Sequence, residues 1–103
     1  MKRQIRAREL AERLASADEP FILDVREPAE FTESAISGAV NIPLCELSTR
    51  TTEIPVGVEV VVVCATGARS SHGTDLLTRR DWKARNLVGE MTAWARLLDT
   101  TTR

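Results

Sequence analysis

The sequence predicts an α/β fold in which a parallel sheet is covered by helices on both faces. Short apolar runs rich in β-branched residues alternate along the chain with segments of helical periodicity. One run, Val58–Val63, is mostly valine and therefore needs apolar cover on both of its faces. The length of 103 residues is typical of a single domain, and we assign residues 1–103 to one domain.

The first half of the chain is predicted to contain short elements. Leu10, Ala11 and Leu14 recur at helical spacing and predict an amphipathic helix over Arg8–Leu14. Pro28 suits the first turn of a second helix, because its missing N–H is unpaired there in any case. The other predictions are strands at Phe21–Val25 and Ala39–Ile42, a helix at Pro28–Phe31, a helical turn or two at Leu44–Thr49 and a loop at Thr51–Gly57.

The second half begins with the valine-rich strand, which is expected near the centre of the sheet. A helix from about Arg69 to Arg80 follows, with basic residues in its last turn where the helix dipole favours them. The last predicted elements are a strand at Ala84–Val88 and a helix at Met91–Leu98 with Met91, Trp94, Leu97 and Leu98 on its apolar face.

Composition and charge argue against several classes of protein. The formal net charge of −1 indicates neither a nucleic acid nor an anionic membrane as partner. The longest apolar run, Val60–Ala65, is far shorter than the ~20 residues of a membrane span, and the charged first ten residues are unlike a secretory leader. We expect a cytoplasmic protein whose Cys45 and Cys64 are reduced. One histidine and two distant cysteines lack the spacing of a zinc site, so neither a metal nor a cofactor is expected.

One predicted loop joins the central strand to a helix, and it begins with a cysteine. Ligands of open α/β sheets collect at the carboxyl ends of strands, so this loop is the candidate site. Its small residues and Gly67 allow backbone N–H groups to turn inward as an anion-binding cradle at a helix N-terminus. A thiol held there should have a pKa below about 8.5, which makes Cys64 a candidate nucleophile. The loop consists of Cys64, Ala65, Thr66, Gly67, Ala68, Arg69 and Ser70.

Each of these residues also has a purely structural interpretation. Cys64 is equally compatible with a buried core thiol at the end of a strand. Arg69 is either a solvated residue of the first helical turn or a group that binds an anion or stiffens the cradle. Thr66 offers a hydroxyl to a bound anion, whereas Ser70 and Ser71 are expected to cap the helix.

Four segments of the chain carry motifs in a characteristic order. They are residues 23–31 (LDVREPAEF, against L-D-V-R-x-x-x-E-F), residues 38–43 (GAVNIP, against G-A-x-N-I-P), residues 64–69 (CATGAR, against C-x-x-G-x-R), and Gly89 with Ala93 and Trp94 (against G-G-x-x-A-W). Together they resemble single-domain rhodanese-type sulfurtransferases, and the resemblance extends from about Ile5 to Trp94.

This resemblance implies a central, mostly parallel sheet of about five strands and a cysteine that carries sulfur as a persulfide. Cys64 matches that cysteine. In the implied cycle its thiolate takes sulfur from a small donor such as thiosulfate, and a thiol, cyanide or a sulfur-accepting protein removes it. The N–H groups from Ala65 to Ser70 would stabilise the persulfide anion. The alternatives are a sulfur relay or a protein-interaction module with little small-molecule activity.

Loop length argues against a cysteine phosphatase, whose C-x5-R loop needs arginine six positions after the cysteine. Ser70 occupies that position, and Arg69 stands one residue earlier. The chain departs from the rhodanese pattern at Ala35, Ser37 and Glu90. Glu90 replaces the second glycine of the closing motif, which the family places at the mouth of the site, so its carboxylate is expected to repel anionic donors such as thiosulfate.

Four other chemistry-bearing residues are given structural roles. Asp24 and Arg26 are interpreted as internal ties at a strand end, with a catalytic role as the alternative. His72 is expected on the helix surface. Cys45 is interpreted as a semi-buried bystander, with a second redox thiol as the alternative.

Overall fold

The structure is a computed structural model that describes residues 3–88. The strands are β1 (Gln4–Arg6), β2 (Phe21–Asp24), β3 (Val40–Asn41), β4 (Glu59–Val63) and β5 (Lys83–Val88). The helices are α1 (Ala7–Leu14), α2 (Pro28–Glu33), α3 (Leu44–Leu47) and α4 (Ala68–Arg79). The strands form one sheet in the order β1-β5-β4-β2-β3, and every neighbouring pair is parallel. The predicted α/β fold is confirmed; the predicted helix at Met91–Leu98 lies outside the described residues.

The valine run forms the central strand, as its composition predicts. β4 pairs with β2 on one side and with β5 on the other. Val60 and Val62 point into the apolar cluster on one face of the sheet, and Val61 and Val63 point into the cluster on the opposite face. All four side chains are completely buried. The carboxyl end of this strand, where Cys64 follows, therefore lies at the middle of the sheet edge.

Helices cover both faces of the sheet, and each face has its own apolar cluster. On the first face, which we call the α1 face, Leu10 of α1 packs with Ile5 and Leu87. On the second, the α4 face, Leu77 of α4 and Leu47 of α3 pack over the valines. Ala11 and Leu14 also pack on the α1 face, as their helical spacing predicts.

The edge strand β1 has no counterpart among the strands assigned from the apolar pattern. Its three residues alternate exposed, buried, exposed, and Ile5 alone points into the core. Pairing with β5 brings Ile5 opposite Leu87 and Gln4 opposite Asn86. A strand with a single apolar residue has no detectable period, so only its partner reveals it.

Helix α4 packs unusually close to the sheet at Gly73. A Cβ atom added at Gly73 would lie 3.2 Å from Val62 Cγ1 and 3.4 Å from Leu47 Cδ2. Glycine at this position therefore lets α4 approach β4, which brings the start of the helix against the end of the strand.

The predicted loop at Thr51–Gly57 contains one turn of 3₁₀ helix at Thr51–Glu53. Among the described residues, no helix has the length and apolar character needed to cross a membrane.

Candidate active site

The loop after β4 carries a cysteine to the middle of the carboxyl edge of the sheet. Cys64 follows the last residue of β4, and α4 begins four residues later at Ala68. The residue is 5% exposed and belongs to the apolar cluster of the α4 face. Cys64 thus packs as a core residue, as one of the two interpretations of the sequence expects.

The sulfur of Cys64 is surrounded by hydrogen-bonding groups of its own loop. The backbone N–H of Gly67 donates to Sγ at 3.1 Å, and that of Ser70 donates at 3.2 Å. The thiol of Cys64 donates to Oγ of Ser70 at 3.3 Å. Two backbone donors are therefore directed at the sulfur, an arrangement that stabilises a thiolate and is compatible with Cys64 as a nucleophile.

These contacts decide the acidity of the thiol. Burial acts to raise the pKa of Cys64, but its hydrogen bond with the Ser70 side chain and those from the N–H groups of Ser70, Thr66 and Gly67 together outweigh it. The pKa of Cys64 therefore lies below its ordinary value. A lowered pKa increases the thiolate fraction near neutral pH, and the thiolate is the nucleophilic form.

Gly67 makes the tight turn of the loop possible. Its φ is +89°, in the left-handed region that residues with a Cβ atom rarely adopt. It is also the N-cap residue of α4. The left-handed turn at Gly67 directs its own N–H, and the N–H of Ser70 in the first helical turn, toward the sulfur.

Helix α4 begins earlier than the sequence predicts, so the prediction that Ser70 and Ser71 cap it is wrong. The helix begins at Ala68, and its N-cap residue is Gly67, which has no side chain to act as a cap. Ser70 lies in the first turn and is completely buried. Its hydroxyl interacts with Cys64 and donates to Oδ1 of Asn86. The reason is that the glycine turn starts the helix before either serine is reached.

Arg69 pairs with a glutamate of α2. Its Nη1 donates to Oε1 of Glu30 at 2.7 Å and its Nη2 donates to Oε2 at 3.1 Å. The guanidinium lowers the pKa of Glu30 to about 2, with the N–H of Glu27 as a further donor. The cradle-stiffening role, one of the interpretations of Arg69, matches this geometry. Glu30 was part of a motif in the sequence, but nothing there identified it as the partner of Arg69.

Asn86 is a site residue that the sequence analysis missed. It lies on β5 opposite Val62 and is 7% exposed. Its Oδ1 accepts the hydroxyl of Ser70, and its Nδ2 donates to the carbonyl oxygen of Gly67 at 3.3 Å. The signal that could have revealed it is a carboxamide within a predicted strand, since a buried amide needs polar partners.

Asp24 and Arg26 form a buried pair at the end of β2. Nη2 of Arg26 donates to Oδ2 of Asp24 at 2.8 Å and to the carbonyl oxygen of Ser34 at 2.6 Å. The side chain of Asn41 donates to the carbonyl oxygens of Asp24 and Arg26, both at 3.0 Å. These bonds tie β2, β3 and the end of α2 together, in agreement with the interpretation as internal ties.

The remaining predicted residues lie at the surface or beyond the described range. Thr66 and Ala68 are exposed and Ala65 is half-buried, and the N–H of Ala68 donates to Oγ1 of Thr66 at 3.4 Å rather than to the sulfur. His72 is exposed on α4, as predicted. Cys45 is free and exposed on α3, so the prediction of a semi-buried position is wrong: Leu44 and Leu47, three residues apart, form the side of this short helix that faces the core. Glu90 lies outside the described residues.

Fold and site together define a class: α/β domains that present a cysteine at a helix N-terminus beyond the central parallel strand. Comparison with protein families identifies the particular one. The sequence model of the rhodanese-like domain matches residues 6–97, and the chain belongs to that family.

Individual relatives agree with this assignment. A "Sulfurtransferase" of Allochromatium vinosum is 34% identical over 97 residues, which are 93% of this chain and 91% of that protein. The crystal structure of a rhodanese-related protein from Thermoplasma volcanium matches with a TM-score of 0.82 and 28% identity over 92% of both chains. An NAD-dependent persulfide reductase from A. fulgidus matches with a TM-score of 0.70 and 36% identity over 88% of this chain and 15% of its own. Relatives of this kind support a sulfurtransferase type of reaction.

Proposed function

We propose that this protein is a sulfurtransferase that carries sulfane sulfur on Cys64 as a persulfide. The observation that carries the proposal is the pair of N–H bonds to Sγ, from Gly67 at 3.1 Å and Ser70 at 3.2 Å. Donors that favour a negatively charged sulfur help both steps of such a reaction. They stabilise the thiolate that attacks the donor, and they stabilise it again when it leaves on delivery of the sulfur.

The proposed sulfur transfer needs no cofactor, because each step forms one bond and breaks another. The Cys64 thiolate attacks the outer sulfur of thiosulfate, a new S–S bond forms, and the S–S bond of thiosulfate breaks so that sulfite leaves with the electron pair. A thiolate or cyanide then attacks the outer sulfur of the persulfide, and the Cys64–S bond breaks to restore the thiolate. No separate base is needed, because hydrogen bonds from Ser70, Thr66 and Gly67 hold the pKa of Cys64 low despite its burial.

The geometry favours sulfur transfer over phosphate-ester chemistry. A cysteine phosphatase uses its loop arginine to bind the oxyanion, whereas both terminal nitrogens of Arg69 bind Glu30. Ser70 stands at the sixth position after the cysteine, and its hydroxyl donates to Asn86. The names of the relatives point the same way, one to sulfurtransferase activity and another to persulfide reduction.

Intact mass spectrometry of the Cys45→Ser protein tests this proposal. After incubation with thiosulfate, we expect a mass increase of one sulfur atom that a reductant or cyanide removes. The Cys45→Ser change leaves Cys64 as the only thiol, since the chain has two cysteines. The matched control is the double variant Cys45→Ser/Cys64→Ser, which should gain no sulfur.

The choice of donor separates the related functions. Sulfur uptake from a small persulfide but not from thiosulfate would keep Cys64 as the carrier and assign the protein to a sulfur relay. No uptake from either donor would contradict the proposal and favour a protein-interaction module.

A further inference from the structure

A single carboxamide on the neighbouring strand binds the two residues that hold the Cys64 sulfur. Asn86 lies on β5 and is almost completely buried. Its Oδ1 accepts the hydroxyl of Ser70, and its Nδ2 donates to the carbonyl oxygen of Gly67 at 3.3 Å. Gly67 and Ser70 are the residues whose N–H groups donate to Sγ. One side chain therefore forms hydrogen bonds with both residues whose N–H groups bind the sulfur.

We propose that Asn86 is a positioning residue for the chemistry of Cys64, acting through Ser70 and Gly67. This inference rests on the proposed function and deepens it. Asn86 is itself held in place, because its backbone N–H donates to the carbonyl oxygen of Arg3 at 2.7 Å and β5 pairs with β4 beside it. A braced carboxamide fixes the direction of the Ser70 hydroxyl, which otherwise rotates freely.

The Ser70 hydroxyl has one hydrogen, which either Oδ1 of Asn86 or the Cys64 thiolate can accept in a hydrogen bond. While Cys64 is a thiol, its S–H donates to Ser70 Oγ, and the Ser70 hydrogen is donated to Asn86. Once the thiolate forms, the same hydrogen stabilises the sulfur only if Asn86 releases it. A neutral amide oxygen releases such a hydrogen more readily than a carboxylate, because bonds to a charged acceptor are about twice as strong.

Charged groups around the loop come from several elements. Arg69 of α4 interacts electrostatically with Cys64 and is paired with Glu30 of α2. Arg3, next to β1, is paired with Asp75 of α4, and both line the same cleft as Asn86. Any test of Asn86 must therefore separate its own hydrogen bonds from a simple change in local charge.

The test is the pH dependence of Cys64 alkylation by iodoacetamide in the Cys45→Ser protein. In Asn86→Asp, which preserves the shape of the side chain, the carboxylate retains the Ser70 hydrogen, and the donor to Gly67 is lost. We expect the midpoint of the profile to rise by about one pH unit, which lowers the alkylation rate about tenfold at pH values below it. An unchanged profile in the folded variant would overturn the proposal.

A double-mutant cycle separates positioning from charge. With Ser70→Ala as background, Asn86→Asp should raise the midpoint by much less, because the hydroxyl through which Asn86 acts is gone. An equal rise in both backgrounds would mean that the added charge acts alone, and it would overturn the proposal.

Two further variants keep the test decisive. Asn41→Asp makes the same chemical change on β3, where the carboxamide bonds to the carbonyl oxygens of Asp24 and Arg26, and it should leave the alkylation profile unchanged. If Asn86→Asp does not fold by circular dichroism, Asn86→Ala replaces it. Asn86→Ala frees the Ser70 hydroxyl to donate to the sulfur and also removes the bond to Gly67, so it should raise the midpoint more in the Ser70→Ala background than in the parent protein. Equal shifts in the two backgrounds would overturn the proposal.

Alkylation requires no sulfur donor, so it reports on positioning independently of sulfur uptake. A protein that takes up no sulfur but shows the expected cycle would contradict the proposed function and leave Asn86 as a positioning residue of the thiol. Sulfur uptake with no effect of Asn86→Asp would support the proposed function and overturn this inference.

Discussion

Arg69 and Glu30, 39 residues apart in the sequence, are joined by two hydrogen bonds that connect the cysteine loop to α2. Oε1 of Glu30 also accepts the N–H of Glu27, so the same carboxylate caps α2 and holds the arginine. The positive charge of the loop is therefore partly neutralised before any anion arrives. Arg69 connects the loop to α2, and the N–H groups of Gly67 and Ser70 donate to the sulfur.

Glu30→Gln should reduce stability slightly and change its dependence on acid. Because Arg69 lowers the pKa of Glu30 to about 2, the carboxylate contributes stability above its unfolded pKa of about 4.3, and that contribution is lost as the pH falls toward 2. The pair is about one-third exposed, with side-chain values of 35% and 36%, so solvent screening limits the effect to about 1 kcal/mol or less.

Urea unfolding at pH 7 and at pH 3 measures this effect. We expect Glu30→Gln to lose stability at pH 7 and to differ less from the parent protein at pH 3. Glu33→Gln, an exposed change on the same helix, is the control. An equal loss at both pH values would contradict the role of the ion pair.

Gly67→Ala should lower both the stability of the fold and the reactivity of the Cys64 thiol. An alanine at φ +89° is strained by about 1–2 kcal/mol, and relief of that strain moves the N–H away from Sγ. The matched control is Gly57→Ala, where φ is +79° and no atom lies within 4 Å of the added Cβ. Thermal unfolding should show a loss of stability in both variants, and alkylation of Cys64 should slow in Gly67→Ala only. Equal alkylation rates would mean that the loop N–H is dispensable.

Cys64 should be more acidic than an ordinary thiol. Although burial raises its pKa, hydrogen bonds from Ser70, Thr66 and Gly67 lower it by more. In the Cys45→Ser protein, the rate of alkylation should therefore reach half its maximum at a lower pH than that of N-acetylcysteine under the same conditions. A midpoint at or above that of the small thiol would show that burial dominates.

Gly73→Val should destabilise the fold by overpacking. The added Cβ alone would lie 3.2 Å from Val62 Cγ1 and 3.4 Å from Leu47 Cδ2, so α4 has to move away from β4 at a cost of about 1–3 kcal/mol. Thr78→Val, an exposed change on the same helix, is the control for valine's helix propensity. Chemical unfolding of both variants measures the difference, and similar losses would argue against close packing at Gly73.

The residue pattern alone predicted much of the fold. The run at residues 58–63 identified the central strand, because a segment made almost entirely of valine is stable only with cover on both faces. The spacing of Leu10 and Leu14 identified α1 and its buried side. These predictions succeed because each depends on residues within one element. The edge strand β1 was not assigned from this pattern, since its single buried residue, Ile5, becomes meaningful only beside β5.

The sequence by itself determined the class of fold and the cysteine loop with its glycine, because turn geometry and strand periodicity are local properties. The tertiary structure decided which groups surround that loop. Glu30 reaches Arg69 across 39 residues, and Asn86 reaches Ser70 across 16, because strand register and the close packing of α4 bring these side chains together. A hydrogen bond depends on distances of about 3 Å, and such distances between separate elements exist only once the sheet and helices have packed.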